Sequence, residues 1–121
     1  MMYRYTIFRP DRTSEAGEVD WPADPSYDAI ARLVGPIVGG PIERVRILDP
    51  AKFDAAQVSR DDYRDMFVDE MGHMREPPGR RNEKATWLYR ANWLRVHPED
   101  DPEELPFIAG VAVVFDRVIW R

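Results

Sequence analysis

Residues 75–95, REPPGRRNEKATWLYRANWLR, gather the side chains of this chain that are best suited to holding an anion. Six cations (Arg75, Arg80, Arg81, Lys84, Arg90 and Arg95) face only Glu76 and Glu83, a net +4 that leaves −9 for the remainder of a chain whose overall charge is −5. Guanidinium and ammonium groups at a helix N-terminus, where backbone N–H groups lack partners and the helix dipole is positive, attract phosphate or carboxylate. Arg80, Arg81, Asn82 and Lys84 hold that position if Asn82 caps a helix, and they form a candidate anion site. The plainer reading is that these cations are solvated, or that they neutralise the acidic loop at 99–104. A second candidate is a protein-binding surface made of Trp87, Arg90 and Leu94 with Glu99, Asp100 and Asp101, since an acidic loop steers toward basic partners.

The residue types needed for catalysis are sparse. With no cysteine there is no disulfide framework and no thiolate nucleophile, and a zinc site would have to draw on His73, His97 and carboxylates distant in sequence. No metal and no cofactor are therefore expected. His73 follows Asp69 and Glu70 across a predicted turn, which is the raw material of an acid/base pair, but a turn histidine beside acids is more often solvated. Gly35, Gly39 and Gly40 stand among prolines and end a helix, whereas a phosphate loop starts one. Ser14, Ser26 and Ser59 lack a nucleophile-elbow setting. Binding is thus favoured over chemistry. Duplex nucleic acid is not expected as a partner, because a net charge of −5 and a pI near 5.0 oppose the neutralisation of many phosphates.

These side chains need a scaffold, and 121 residues suffice for one domain with a modest core. Apolar residues make up 44% of the chain, too many for a disordered polyampholyte despite 32% charged residues. No segment approaches the ~20 apolar residues that span a bilayer, and the N-terminus lacks an apolar signal core, so no membrane partner and a cytoplasmic location are expected. In residues 2–8, Tyr3, Tyr5 and Ile7 alternate with Arg4, Thr6 and Phe8, which predicts a strand ended by Pro10. Residues 11–25, with Gly17, Pro22 and Pro25, read as an exposed connection with Trp21 tucked against the fold.

Asp24 or Ser26 can cap a helix carrying Tyr27, Ile30, Ala31, Val34, Ile37 and Val38, which Pro36 should kink or end near Gly35. A strand follows at Ile42, Val45 and Ile47, then a turn-rich insert at 49–62 with room for a short helix at 53–58. Residues 63–69 predict a strand that turns at 70–73 into a short return strand at 74–76. Asn82 then caps a helix over 83–96, and 107–115 reads as one buried central strand. On that second helix Ala85, Leu88, Tyr89, Asn92, Trp93 and Val96 share a face that should meet the sheet. Trp87, Ala91 and Leu94 form an opposite apolar stripe that needs a cover: a second copy of the chain, a partner protein, or the 49–62 insert. The sum is a single α+β domain over residues 1–121, with a mixed or antiparallel sheet of four to five strands and two main helices.

The order VGGPIERVRIL, FVDEMGHMREPPGRRNEKAT and LPFIAGVAVVF resembles a family of small phage and mobile-element proteins known as a domain of unknown function. The matching positions are Val38, Gly39, Gly40, Ile42, Glu43, Asp69, Glu70, Gly72, Asn82, Ile108 and Gly110, while Pro77, Pro78, Gly79 and two arginines replace a shorter link. The resemblance implies an α+β fold and a mobile-element origin. Two roles stay open from the sequence: a phage or mobile-element accessory protein, counter-defence among its uses, that engages a host protein; or a binder of a small anionic ligand such as a nucleotide.

Overall fold

The computed structural model describes residues 1–75 and 80–120. Five strands, β1 (Met2–Phe8), β2 (Ser14–Asp20), β3 (Ile42–Leu48), β4 (Tyr63–Asp69) and β5 (Ala112–Phe115), form one antiparallel sheet in the order β2-β1-β5-β4-β3. Helix α1 (Tyr27–Val38) links the two edge strands and α2 (Glu83–Val96) links β4 to β5. The expected α+β class with two main helices is what the chain adopts, and of the expected mixed or antiparallel sheet of four to five strands it forms the five-stranded, antiparallel one.

Strand alternation decides which helix each residue meets. On one face Tyr3, Ile7, Phe67, Val113 and Phe115 pack with Ile30, Val34 and Val38 of α1. On the other, Met66, Val68, Ala112 and Val114 pack with Ala85 and Leu88 of α2. Both sides of β4 and β5 are covered, which is why Met66, Phe67 and Val68 and the whole of β5 are apolar, with the buried acids Asp65 and Asp69 flanking the apolar part of β4.

Residues 14–20, taken from the sequence as part of a loop, are instead the edge strand β2. Their composition is polar, but β1 supplies the pairing partner and a tight turn sets the register. Asp11 accepts from the Thr13 N–H at 2.9 Å and the Thr13 hydroxyl at 2.6 Å, Arg12 takes φ 72°, and the Arg9 N–H donates to Thr13 O at 3.0 Å. Gly17 lies opposite Tyr5, and a Cβ built there would sit 2.4 Å from the tyrosine ring, so the ring occupies the space a side chain would take. Trp21 does tuck back, stacking on Phe115 with centroids 5.8 Å apart.

Other expectations are revised. Helix α1 is capped by Ser26, whose hydroxyl accepts from the Ala29 N–H at 3.1 Å, and runs through Pro36 to stop at Gly39 with φ 90°. The proline lies in the last turn, where the burial of Val34 and Val38 against the sheet outweighs one missing backbone bond. The insert at 49–62 forms 3-10 turns at Pro50–Lys52 and Arg60–Asp62 and no helix at 53–58. After β4 the chain turns where expected, but the 3-10 turn Gly72–Met74 takes in the first residue of the expected return strand 74–76, Arg75 belongs to no strand, and Glu76, Pro77, Pro78 and Gly79 lie outside the described residues.

Residues 107–111 do not extend β5. Gly110 at φ 86° breaks the strand, and this segment pairs with the approach to α2: Ala109 bridges Arg81, the Asn82 N–H donates to Ile108 O at 2.8 Å, and the Gly110 N–H donates to Arg80 O at 2.7 Å. Helix α2 buries Ala85, Thr86 and Leu88 against the sheet and follows the β3 edge with its second half; Trp93 and Val96, expected on the inner face, are exposed there. At that edge Asn92 accepts from the Leu48 N–H at 3.1 Å and donates to Arg46 O at 3.3 Å, closing part of the outer margin of β3. The 49–62 insert covers one flank of α2, with Phe53 edge-on to Trp87 at 5.4 Å and Arg95 donating to the carbonyls of Phe53 and Ala55 at 2.8 and 2.7 Å.

Asn82 carries the greatest structural load among these ties. Its Oδ1 accepts from the Ala85 N–H at 3.1 Å, and its Nδ2 donates to Phe8 O at 2.8 Å and Gly110 O at 2.9 Å. Asn82→Ala should cost about 3 kcal/mol, a helix cap plus two buried carbonyls left short of a donor. Asn82→Asp keeps the cap but turns a carboxylate on both carbonyls, and should be at least as harmful. Urea unfolding with an unchanged m-value checks both, and equal stability of Asn82→Asp and the parent chain would contradict the assignment.

Candidate functional site

The structure separates the four residues expected to converge on an anion. Asn82 is 0% exposed with its side chain fully engaged in the ties above, so it is a structural residue and not a ligand contact. Arg81 turns to one side, pairing with Glu83 at 3.0 Å and lying over the Phe107 ring at 5.8 Å. Arg80 is exposed near Asp11, whose carboxyl is held below the usual range first by the hydrogen bonds from Thr13 and then by the charges of Arg9 and Arg80. Lys84 has its Nζ 4.5 Å from the Trp87 ring centroid and 5.9 Å from that of Phe8. Arg81 and Lys84 thus lie over different rings, and Asn82 between them is buried.

The expected partner surface is also largely consumed inside the domain. Arg90 has a side chain only 11% exposed and donates to Leu105 O at 2.9 Å, fastening residues 105–106 to α2. Asp100 accepts from the Trp93 indole N–H at 2.7 Å, Asp101 caps the 3-10 turn Pro102–Glu104, and Glu99 stands 3.9 Å from His97. Leu94 is half-buried, and Trp87, at 48% exposure, is the most accessible apolar residue of that set. His73 takes no part in an acid/base pair with Asp69 or Glu70 here: its Nε2 lies 2.7 Å from Phe107 O and its ring packs on that of Phe107.

A different feature forms where α2 stops covering the sheet. Between α2 and the β1–β2 hairpin lies a groove of about 700 Å³. Its floor is Thr6, Ala16 and Val114, side by side on neighbouring strands, and its walls are Phe8, Ile47 and Leu88. Charges ring it: Arg4, Glu18, Asp116 and Arg64 at one end, Lys84 at the other. Arg4 and Phe8 are four residues apart on one extended strand, so the groove is roughly 13 Å long. Its size is in the range of small-molecule pockets, and its mix of apolar floor and few charged groups is their usual composition.

The charges at the two ends differ in how they are occupied. Arg64 is paired with Asp49 at 2.9 Å, Asp116 is chelated by Arg117 at 3.0 and 3.1 Å, and Arg4 stands 4.0 Å from Glu18. Among the described residues no carboxylate lies within ion-pair distance of Lys84, which is held by ring faces alone. A second hollow, lined by Arg46, Arg60, Tyr63 and Arg117, is less suited to a ligand because two of its three cations, Arg46 and Arg117, already serve internal acceptors. Arg117 binds Asp116 and Met2 O, and Arg46 faces the buried Asp65 at 4.0 Å. Asp65 itself accepts from the N–H groups of Ile119 and Trp120 at 2.8 and 2.9 Å and holds the C-terminal segment to the sheet.

Of the groove, only Lys84 was among the residues singled out from the sequence. The available signal was Phe8, an aromatic on the otherwise polar parity of β1, which requires apolar company on that face of the sheet. Segments marked by the family resemblance do meet in space, at the end of the sheet away from Arg4. Asp69 accepts from the Arg75 guanidinium and from the Met71 N–H at 3.0 Å, and Arg75 also donates to Gly39 O at 2.8 Å. A Cβ on Gly40 would collide with that guanidinium, and one on Gly72 would approach Ala109 O to 2.9 Å. These positions build a junction.

That junction carries a pH dependence. The Arg75 hydrogen bond, with the Met71 N–H and the Arg75 charge behind it, holds the Asp69 carboxyl below its usual range against the opposing effect of burial. A depressed carboxyl contributes stability that is present above the unfolded value, about 3.9, and lost as pH falls through the folded value. Asp69→Asn should therefore lower stability at pH 7 and flatten its decline below about pH 4. Urea midpoints measured from pH 7 to pH 2 check this, and an acid limb as steep in Asp69→Asn as in the parent would refute it. In comparisons with family models, curated proteins and solved structures, the chain matched none.

Proposed function

We propose that this chain acts by binding a small organic molecule in the groove between α2 and the β1–β2 hairpin. The observation that carries the reading is the groove itself: about 700 Å³ of space over Thr6 and Ala16 of the hairpin, bounded by Val114 and Leu88 at the margin of α2. Its apolar floor supplies area and its charged ends supply orientation. This keeps the small-ligand role expected from the sequence but moves it from the helix N-terminus to the sheet face.

The role of a phage or mobile-element accessory protein that engages a host protein is the second reading. It is favoured by Trp87, a large aromatic half exposed beside Phe53 and Lys84, since such residues often anchor interfaces. Trp87→Ser separates the two, because it removes the anchor and leaves the groove floor intact.

Ala16 is exposed on the edge strand and its side chain enters the groove, so Ala16→Phe fills the space with a residue that strands accept well. Amide spectra titrated with a fragment mixture should show shifts at Thr6, Ala16 and Val114 in the parent chain and none in Ala16→Phe. A ligand present at a hundred times its Kd should also add about 2.7 kcal/mol of stability to the parent alone. Shifts that persist in Ala16→Phe, or that cluster away from these residues, would overturn the reading.

A further inference from the structure

We infer that the groove selects amphipathic anions, molecules with an apolar body up to roughly 13 Å long and one carboxylate, sulfate or phosphate group, with Lys84 as the residue that meets the anionic group. This rests on the groove being a ligand site and names the class of ligand it takes.

The argument starts from charge compensation. At the Arg4 end every charge has a described neighbour of opposite sign: Arg64 has Asp49, Asp116 has Arg117, and Arg4 has Glu18 at the limit of ion pairing. An incoming charge of either sign would have to displace one of these partners. At the other end Lys84 is positioned by the rings of Trp87 and Phe8, with no carboxylate among the described residues. Ring faces fix an ammonium in place without quenching its charge, and leave its N–H donors for an oxygen anion. Lys84 also sits in the first turn of α2, where the helix dipole adds to its positive potential.

The remainder of the chain sharpens the preference. The protein carries −5 overall, so a locally positive mouth is an exception to its own field. Between the two ends the floor offers Thr6, Ala16 and Val114 with Leu88 as a wall, surfaces that reward an apolar body and give a second charge nothing to pair with. A molecule with one anionic end and an apolar remainder satisfies both conditions. A dianion with charges at both ends would set its second charge among Arg4, Glu18, Arg64 and Asp116, which are already paired, and a cation would meet Lys84.

Decanoate, decanol and decylammonium have one chain length and three head groups, and their binding is read by calorimetry or by displacement of 1-anilinonaphthalene-8-sulfonate fluorescence. Decanoate should bind the parent chain at least tenfold more tightly than decanol, with decylammonium weakest. Lys84→Gln should bring decanoate to the level of decanol, and Lys84→Arg, which keeps the charge, should retain the preference. Equal binding of all three, lost in Ala16→Phe, would overturn the anion class while leaving the groove as a ligand site. Preference for decanoate that survives Lys84→Gln would overturn the role of Lys84. Binding that survives Ala16→Phe, or no binding at all, would overturn the groove and this inference with it.

Discussion

The carboxamide of Asn82 is the constraint on which the remaining architecture hangs. Its oxygen ends α2 properly, and its nitrogen ties the end of β1 to the approach of β5. Both roles need the side chain in one place, so the first turn of α2 cannot slide relative to the central strands without losing three hydrogen bonds at once. Ten residues later Asn92 fixes the same helix to the margin of β3. Held at these two points, α2 lies over β5, β4 and β3 and cannot also cover β1 and β2. The groove follows from that geometry: one short helix fastened at an angle leaves part of a five-stranded sheet bare.

The cation island shows why contiguity in sequence is a poor guide to convergence in space. Within four residues Arg81 and Lys84 point to different rings, Phe107 on one side and Phe8 with Trp87 on the other, and Asn82 between them points inward. The competing attractions are ordinary ones: an adjacent carboxylate for Arg81, aromatic faces for Lys84, and buried backbone carbonyls for Asn82. None of them requires a ligand. At the mouth of the groove the fold leaves the Lys84 ammonium with ring faces beside it and no carboxylate partner among the described residues.

Much of the scaffold was legible. The alternation in β1 and over 63–69, the spaced apolar residues Ile42, Val45 and Ile47 of β3, and Asn82 as a cap are local signals, and local hydrogen bonding and burial decide them. The departures have a common physical origin in pairing over distance. SEAGEVD carries little strand propensity of its own and becomes β2 because β1 lies beside it and Tyr5 fills the space over Gly17. The apolar run after Phe107 is cut by Gly110 and spends its first half on the helix approach. The groove unites Thr6, Ala16, Leu88 and Val114, and their adjacency arises only from the strand order and the seat of α2. A sequence lists those residues far apart, and the local pattern that places each on its own element says nothing of their meeting.

The two margins of the sheet are finished unequally. That of β3 is interrupted by the Asn92 carboxamide, whereas the backbone of β2 presents an unbroken row of seven residues whose acids are drawn back onto their own chain: Glu15 to Arg9, Asp20 to the terminal amine. Lateral growth by strand addition, the route by which sheet proteins coalesce, is therefore less obstructed along β2 than along β3. Two copies joined along β2 would use up that border in a closed pair, whereas pairing along the whole of β3 would first have to displace the Asn92 carboxamide from Leu48 and Arg46.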